Sequence, residues 1–255
     1  MRAPALFLGH GAPALAVEDS SYSQALARYG ALAPQPQAVI IVSDRWRTRA
    51  ATPSVTACKH PETLHDFTST KPVLQEMVYP CPGWPQLAHR VAERVGGTVD
   101  RDRGLDHGAW MPLRFLFPSP TTRVVQMSVP RGGPDSLVAL GRAVAAFRDE
   151  GIWIIGSGGI VRGRGRTPAR GAPTPAWARA FDAWVAAQVV ALDLARLLDY
   201  EKEAPNSAIA APVVDGLAPL FVTLGSARPG DRVTTVHEGF DHGTISLRCF
   251  ALAPP

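Results

Sequence analysis

Four short apolar runs, separated by segments of helical periodicity, limit the fold of this chain more than any other feature. ALFLG (5–9), QAVIIVS (37–43), RVVQMSV (123–129) and IWIIGSGGI (152–160) are almost free of charge and rich in β-branched residues. Such runs read as strands buried on both faces. SYSQALARYGAL (21–32), WPQLAHRVAERVGG (84–97), PDSLVALGRAVAAFRDEG (134–151), PAWARAFDAWVAAQVVALDL (175–194) and DGLAPLFVTLGSA (215–227) read as helices. A glycine closes the second of these, and the third has a proline near its start and a glycine at its end, which suit helix boundaries. RVTTVHEGF (232–240) and GTISLRCFAL (243–252) read as a closing pair of strands. Alternating strands and helices predict an α/β fold whose central sheet is mostly parallel but mixed, flanked by helices. The 255 residues are enough to bury a full core, and with no internal repeat or linker residues 1–255 are expected to form one domain.

The net charge of +4 comes mainly from arginine, as in RWRTR (45–49) and VRGRGRTPAR (161–170). A nucleic-acid surface would need stacking aromatics on the basic face, and only the charge is visible. A few arginines near strand ends suit an anionic small molecule better. Cys58, Cys81 and Cys249 are odd in number and far apart, which argues against a disulfide framework or a zinc knuckle. No apolar run reaches membrane-spanning length, and MRAPALFLGHGAP has too short a run for a signal peptide. A cytoplasmic protein without nucleic-acid or membrane partners is therefore expected.

Ligands of open α/β sheets bind beyond the carboxyl ends of the strands. His10 follows the first strand, between two glycines. Asp44, Arg45 and Trp46 follow the second, and Arg162, Arg164 and Arg166 follow the fourth. His65 in TLHDF, His107 in LDHGAW, and His237, Asp241 and His242 in HEGFDHG complete the candidates. GSGGIVRG lacks the Lys-Ser/Thr of a phosphate loop, Ser157 is not in a GxSxG nucleophile elbow, and HEGFDH is not a zinc-protease HExxH.

ALFLGHGAP, PQAVIIVS followed by Trp46, TLHDF, YPCPGWPQLA, DHGAWMPL, RDEGIWIIGSGGIV and EGFDHGTISL occur in this order. In these segments, which span nearly the whole chain, the sequence resembles the class III extradiol dioxygenases, and most closely their single-chain 4,5-DOPA-dioxygenase-type branch. The resemblance implies an α/β fold like the B subunit of those enzymes. It also implies a non-haem Fe(II), or zinc as isolated, that opens catechol rings with O₂. Three metal ligands are implied. The first is His10. The second is the His of a Ser-Ala-His-Trp segment that here reads Ser43-Asp44-Arg45-Trp46. The third is a His before an apolar stretch, where this chain has Gly216. A further His near the family's substrate is replaced by Arg162. The His of Asp-His-Gly-x-Trp, which the resemblance gives acid/base work, is kept as His107, and the His of the His-Asp-Phe segment is kept as His65.

A catalytic metal takes about three donors with lone pairs. Guanidinium has none and is permanently positive, and glycine has no side chain. The expectation is therefore a metal-independent enzyme with no cofactor. His107 is its general acid/base, with an imidazole suited to neutral pH, and His10 acts beside it. Arg45 and Arg162 stabilise an anion or oxyanion. His65, Asp44, Trp110 and His242 are expected around the substrate. That substrate is an aromatic, phenolic, enolisable or carboxylated small molecule, undergoing C–C hydrolysis, lyase chemistry, isomerisation or cyclisation. Two alternatives stand beside this reading: a non-catalytic or regulatory subunit, and an Fe(II) or zinc enzyme with ligands recruited from Asp44, Asp215 or His242. The sequence does not decide between a homo-oligomer and a hetero-oligomer with an active homologue.

Overall fold

The structure is a computed structural model that describes residues 2–69, 71–162 and 168–255. The strands are β1 (Ala5–Gly9), β2 (Ala38–Arg47), β3 (Ser54–Thr56), β4 (Thr98–Asp100), β5 (Val124–Val129), β6 (Ile152–Gly158), β7 (Arg232–His237), β8 (Phe240–Asp241), β9 (Ile245–Ser246) and β10 (Cys249–Ala253). The helices are α1 (Ser21–Leu32), α2 (Pro72–Gln75), α3 (Pro85–Val95), α4 (His107–Leu116), α5 (Pro134–Val144), α6 (Ala176–Ala191), α7 (Leu194–Leu198), α8 (Tyr200–Glu203), α9 (Ser207–Ala210) and α10 (Ala218–Gly225).

Eight strands form one mixed sheet in the order β4-β3-β5-β2-β6-β1-β10-β7, and β8 and β9 make a separate ribbon. The centre, β5-β2-β6-β1, is parallel, while β10 and β7 add antiparallel on one side and β3 lies antiparallel to β5 on the other. The four apolar runs are these four central strands, and β1, β5 and β6 are buried along their whole length. Alternate residues feed two separate cores: Phe7, Ile40, Val42 and Ile154 pack on one face, Leu6, Leu8, Ile41 and Ile155 on the other. This is one α/β domain with a large mixed sheet flanked by helices, as the sequence predicts.

Several boundaries differ from the sequence expectation. β2 continues through Asp44, Arg45 and Trp46 to Arg47, so the charged pair lies within the strand rather than after it. The helix expected over 134–151 stops at Val144 and tightens into a 3-10 turn to Glu150. Each closing strand divides in two at the ribbon.

Helix α4 was not apparent from periodicity, because eight of its ten residues are buried and its apolar residues run on without a polar stripe. Its start is nonetheless encoded: Asp106 caps it by accepting from the backbone N–H of Ala109 at 3.1 Å.

Arg148 is fully buried in the floor of the fold. Its guanidinium donates to Asp231 at 2.6 and 3.2 Å and to the carbonyls of Ala3, Ser226 and Leu252 at 2.8 to 3.0 Å. The pair ties the 3-10 turn before β6 to both ends of the chain.

Among the described residues, no helix is long and apolar enough to cross a membrane.

Candidate active site

A cleft of about 600 Å³ opens at the carboxyl ends of β1, β2 and β6. His10, Asp44, Arg45, Asp66, His107 and Arg162 supply its polar wall. Phe67, Val161, Trp177 and Ile245 are among its apolar lining, so a ring has both a flat surface and charged partners.

The register of the sheet explains the cluster. Ser157 of β6 lies beside Leu8 of β1 on one side and Ser43 of β2 on the other. His10, one residue beyond β1, donates its backbone N–H to Gly158 O at 3.1 Å. Its ring Nδ1 lies 3.0 Å from Ser157 Oγ.

The proton on that bond follows from a proline. In α4, Pro112 has no N–H to give to Gly108 O four residues earlier. Ser157 Oγ–H donates to that carbonyl instead. A hydroxyl has one proton, so Ser157 Oγ accepts from His10 Nδ1–H. His10 Nε2 is then a bare acceptor, and it faces Asp44 Oδ1 at 3.7 Å.

Asp44 is almost wholly buried, its side chain 2 % exposed. Its Oδ2 accepts from Arg162 Nη1 at 2.9 Å, while Oδ1 has no hydrogen-bond partner among the described residues. Burial pushes the Asp44 carboxyl up to about 6, against the pull of Arg162 and Arg45. Burial likewise holds the His10 imidazole well below its ordinary value, helped by the positive charge of His107, Arg162 and Arg45.

His107 begins α4. Both its backbone N–H and its ring Nδ1 lie against Asp66 Oδ1, at 2.9 and 2.8 Å. A carboxylate accepts, so Nδ1 carries the proton and Nε2 is the nitrogen left to exchange one. The His10 and His107 rings meet edge to face, 5.6 Å between centroids, and Phe67 packs on His107 at 5.4 Å. Asp66 also receives Arg45 Nε at 3.4 Å. The approach of α4 to β2 requires glycine at 108, where a Cβ would lie 2.3 Å from Ser43 Oγ and 3.0 Å from Arg45 Cγ.

The structure thus brings together five sequence-predicted residues: His10, Asp44, Arg45, His107 and Arg162. It does not bring His65, Trp110 or His242 to the cleft wall, which corrects their expected place around the substrate. His65 donates Nε2–H to Met77 O at 2.9 Å, and Trp110 donates its indole N–H to Leu64 O at 2.9 Å. Packed edge-on or tilted against Phe67, both hold the loop that carries Asp66. His242 donates Nδ1–H to Pro168 O at 2.9 Å and sits in a turn with φ +48°. Arg164 and Arg166 lie outside the described residues.

Two site residues were missed. Asp66 stands next to His65 in TLHDF, but only tertiary folding pairs it with His107. Ser157 was considered only as a nucleophile, whereas it works as a hydrogen-bond relay. The proline at 112, in DHGAWMP, was the available signal for that role.

Gly216 lies against the loop after β6. Its carbonyl accepts from Gly159 N–H at 3.0 Å, and a Cβ on it would lie 2.8 Å from Gly159 O. Its neighbour Asp215 is paired with Arg47. Among the described residues, no three His, Cys, Asp or Glu side chains are grouped as they would be around a metal ion.

Over residues 5–247 the chain matches the family model described as the catalytic LigB subunit of aromatic ring-opening dioxygenase. It is 34% identical over 258 residues to a 4,5-DOPA dioxygenase extradiol of Escherichia coli (strain K12), covering 96% of this chain and 93% of that protein. The corresponding protein of Beta vulgaris is 33% identical over 251 residues, covering 94% and 92%. A crystal structure of an uncharacterized protein from Escherichia coli K12 superposes with a TM-score of 0.81 at 31% identity, covering 99% of this chain and all of that one.

Proposed function

Since the chain belongs to the family of the catalytic LigB subunit of aromatic ring-opening dioxygenases, we propose that it is a divergent enzyme of that family in which fixed guanidinium groups do the work of the metal. The substrate is a phenolic, enolisable or carboxylated small molecule, and the chemistry is acid/base chemistry without oxygen. One observation carries the reading: Arg45 and Arg162 line the same cleft as His10 and His107.

The residues present do not fit the metal centre that the family implies. Where a second ligand is expected, Arg45 brings a positive charge without a lone pair. At the third position Gly216 offers only backbone, and a Cβ there would lie 2.8 Å from Gly159 O, so a side chain needs the loop to shift. The remaining donors, His10 Nε2, Asp44 Oδ1 and His107 Nε2, share their pocket with Arg45 and Arg162. Two guanidinium cations beside these donors disfavour a further cation.

The same groups suit an anion. Arg45 and Arg162 each use one nitrogen on a carboxylate among the described residues, so further N–H groups can meet a substrate carboxylate or a developing enolate. His107, held in one tautomer by Asp66, presents Nε2 for proton transfer. The apolar lining around Phe67 and Trp177 takes the ring or chain of the substrate.

Two measurements test the proposal together. Iron and zinc in the purified protein are expected well below one per chain. Phenolic and dicarbonyl carboxylates are expected to exchange protons with solvent or turn over, with His107→Ala lowering the rate by about 10²- to 10⁴-fold. One iron or zinc per chain, together with O₂ consumption on a catechol, would falsify it.

A further inference from the structure

Two acceptors face each other at the cleft, the buried Asp44 Oδ1 and His10 Nε2, with no donor between them among the described residues. Gly108 O, which Pro112 cannot serve, accepts from Ser157, and Ser157 accepts from His10 Nδ1–H, which leaves His10 Nε2 with a lone pair. Opposite it, 3.7 Å away, is Asp44 Oδ1, a buried oxygen without a partner among the described residues. A buried polar atom such as Asp44 Oδ1 is rarely left unpaired, and two facing acceptors need two protons. A hydroxyl brings one. A water molecule brings two, and a site with polar partners beside a cleft is where an ordered water is retained.

We propose that His10 and Asp44 hold a water molecule as the nucleophile of a hydrolase, and that the substrate is a carboxylated 1,3-dicarbonyl compound. This narrows the acid/base reading above and rests on it. Both hydrogens of the water are directed into the pair, which leaves an oxygen lone pair for the substrate. The carboxylate binds the guanidinium side of the cleft, and a carbonyl carbon lies over the water.

The step balances without an oxidant or reductant. Water oxygen bonds to the carbonyl carbon, and one of its protons passes to His10 Nε2, where the imidazolium faces the Asp44 carboxylate. The carbonyl electron pair moves to oxygen and is held by Arg45 or Arg162. Collapse of that oxyanion breaks the C–C bond. The departing carbon carries the electron pair away as an enolate and takes a proton from the imidazolium of His107. The proton on His10 leaves to solvent, and His107 is recharged from it. One water is consumed, and a carboxylic acid and a ketone are formed.

A crystal structure of the wild-type protein tests the water site, with an anomalous scan for metals. Density for a water within about 3.2 Å of both His10 Nε2 and Asp44 Oδ1 is expected. A metal there, or His10 and Asp44 in contact with nothing between them, overturns the assignment. The reaction is tested with 2,4-dioxopentanoate and 4-phenyl-2,4-dioxobutanoate in oxygen-18 water. Cleavage with one labelled oxygen in the product acid is expected, and Asp44→Asn lowers its rate by about 10²-fold or more while the carboxylates still bind. Failure to cleave either compound overturns the hydrolytic step. If the enzyme then still exchanges their α-hydrogens for deuterium, the acid/base reading survives. If neither exchange nor carboxylate binding is seen, that reading falls as well.

Discussion

Asp66 Oδ1 accepts two hydrogen bonds from one residue, the backbone N–H of His107 at 2.9 Å and its ring Nδ1–H at 2.8 Å. Burial acts to raise the Asp66 carboxyl, but these bonds and the charges of His107 and Arg45 overcome it and hold it well below its ordinary value. A carboxyl depressed in the folded state stabilises above its unfolded value, and that stability is lost as pH falls through the folded one. Asp66→Asn is therefore expected to cost about 1–3 kcal/mol at pH 7, the cost of an unmade charged hydrogen bond. The difference from wild type shrinks as the pH is taken below about 4. Urea unfolding at several pH values measures this. A constant difference across the range would refute the assigned role.

Asp44 has the opposite sign. Its carboxyl is raised from 3.8 to about 6 mainly by burial. The folded protein holds that proton where the unfolded chain has lost it, so stability falls as pH rises from about 4 to about 6. Two units correspond to about 3 kcal/mol. Asp44→Asn removes this slope, and its stability relative to wild type should improve with rising pH over that window. Parallel denaturation curves at pH 4 and pH 7 decide the matter. An unchanged gap would mean that Asp44 does not titrate there.

On the proposed reading, Arg45→Met and Arg162→Met each weaken the binding of a carboxylate probe by about 10- to 100-fold, the range for a charged hydrogen bond. Calorimetric titration with the carboxylate and with its uncharged amide separates charge recognition from ring packing. Equal losses for both compounds would count against an anion site. Arg162, 54 % exposed, should show the stronger salt dependence of the two, because Arg45 is the more enclosed at 30 %.

Gly216 tests the argument about the metal. With a Cβ forced to 2.8 Å from Gly159 O, Gly216→Ala should lower stability by about 1–3 kcal/mol through overpacking. Arg45→His/Gly216→His supplies the two imidazoles that the family resemblance implies but leaves this clash in place. Less than one iron per chain is expected after anaerobic loading. Stoichiometric binding would show that the loop yields easily and that arginine alone had kept the metal out.

Away from the cleft, Asp231→Ala leaves the buried Arg148 guanidinium without its carboxylate. A cost of about 3–5 kcal/mol is expected, as for other buried pairs broken on one side. Thermal unfolding measures it. A loss under 1 kcal/mol would mean that the carbonyls of Ala3, Ser226 and Leu252 suffice for Arg148.

The central strands were legible because an apolar run buried on both faces has few other uses. The amphipathic helix α3 was legible from its one-sided spacing and from Gly96, which closes it at φ +61°. Helix α4 was not, since burial on every side erases the polar stripe by which a helix is recognised, and Pro112 argues locally against one. The residues near β1, β2 and β6 were legible as site candidates because strand ends converge in this kind of sheet. His65, Trp110 and His242 show the limit of that reasoning: a polar ring beside a motif can serve a carbonyl as well as a substrate.

By itself, then, the sequence determined the α/β layering and the family, and it put guanidinium groups at 45 and 162, because these depend on residue type and order. Only the tertiary structure decided which atoms meet. Asp66 reaches His107 across 41 positions, and Arg162 reaches Asp44 across 118. Pro112 determines the tautomer of His10 through a carbonyl in one helix and a hydroxyl on a strand. Hydrogen bonds act over about 3 Å, and contacts of that kind between distant segments exist only once the sheet register has brought them together.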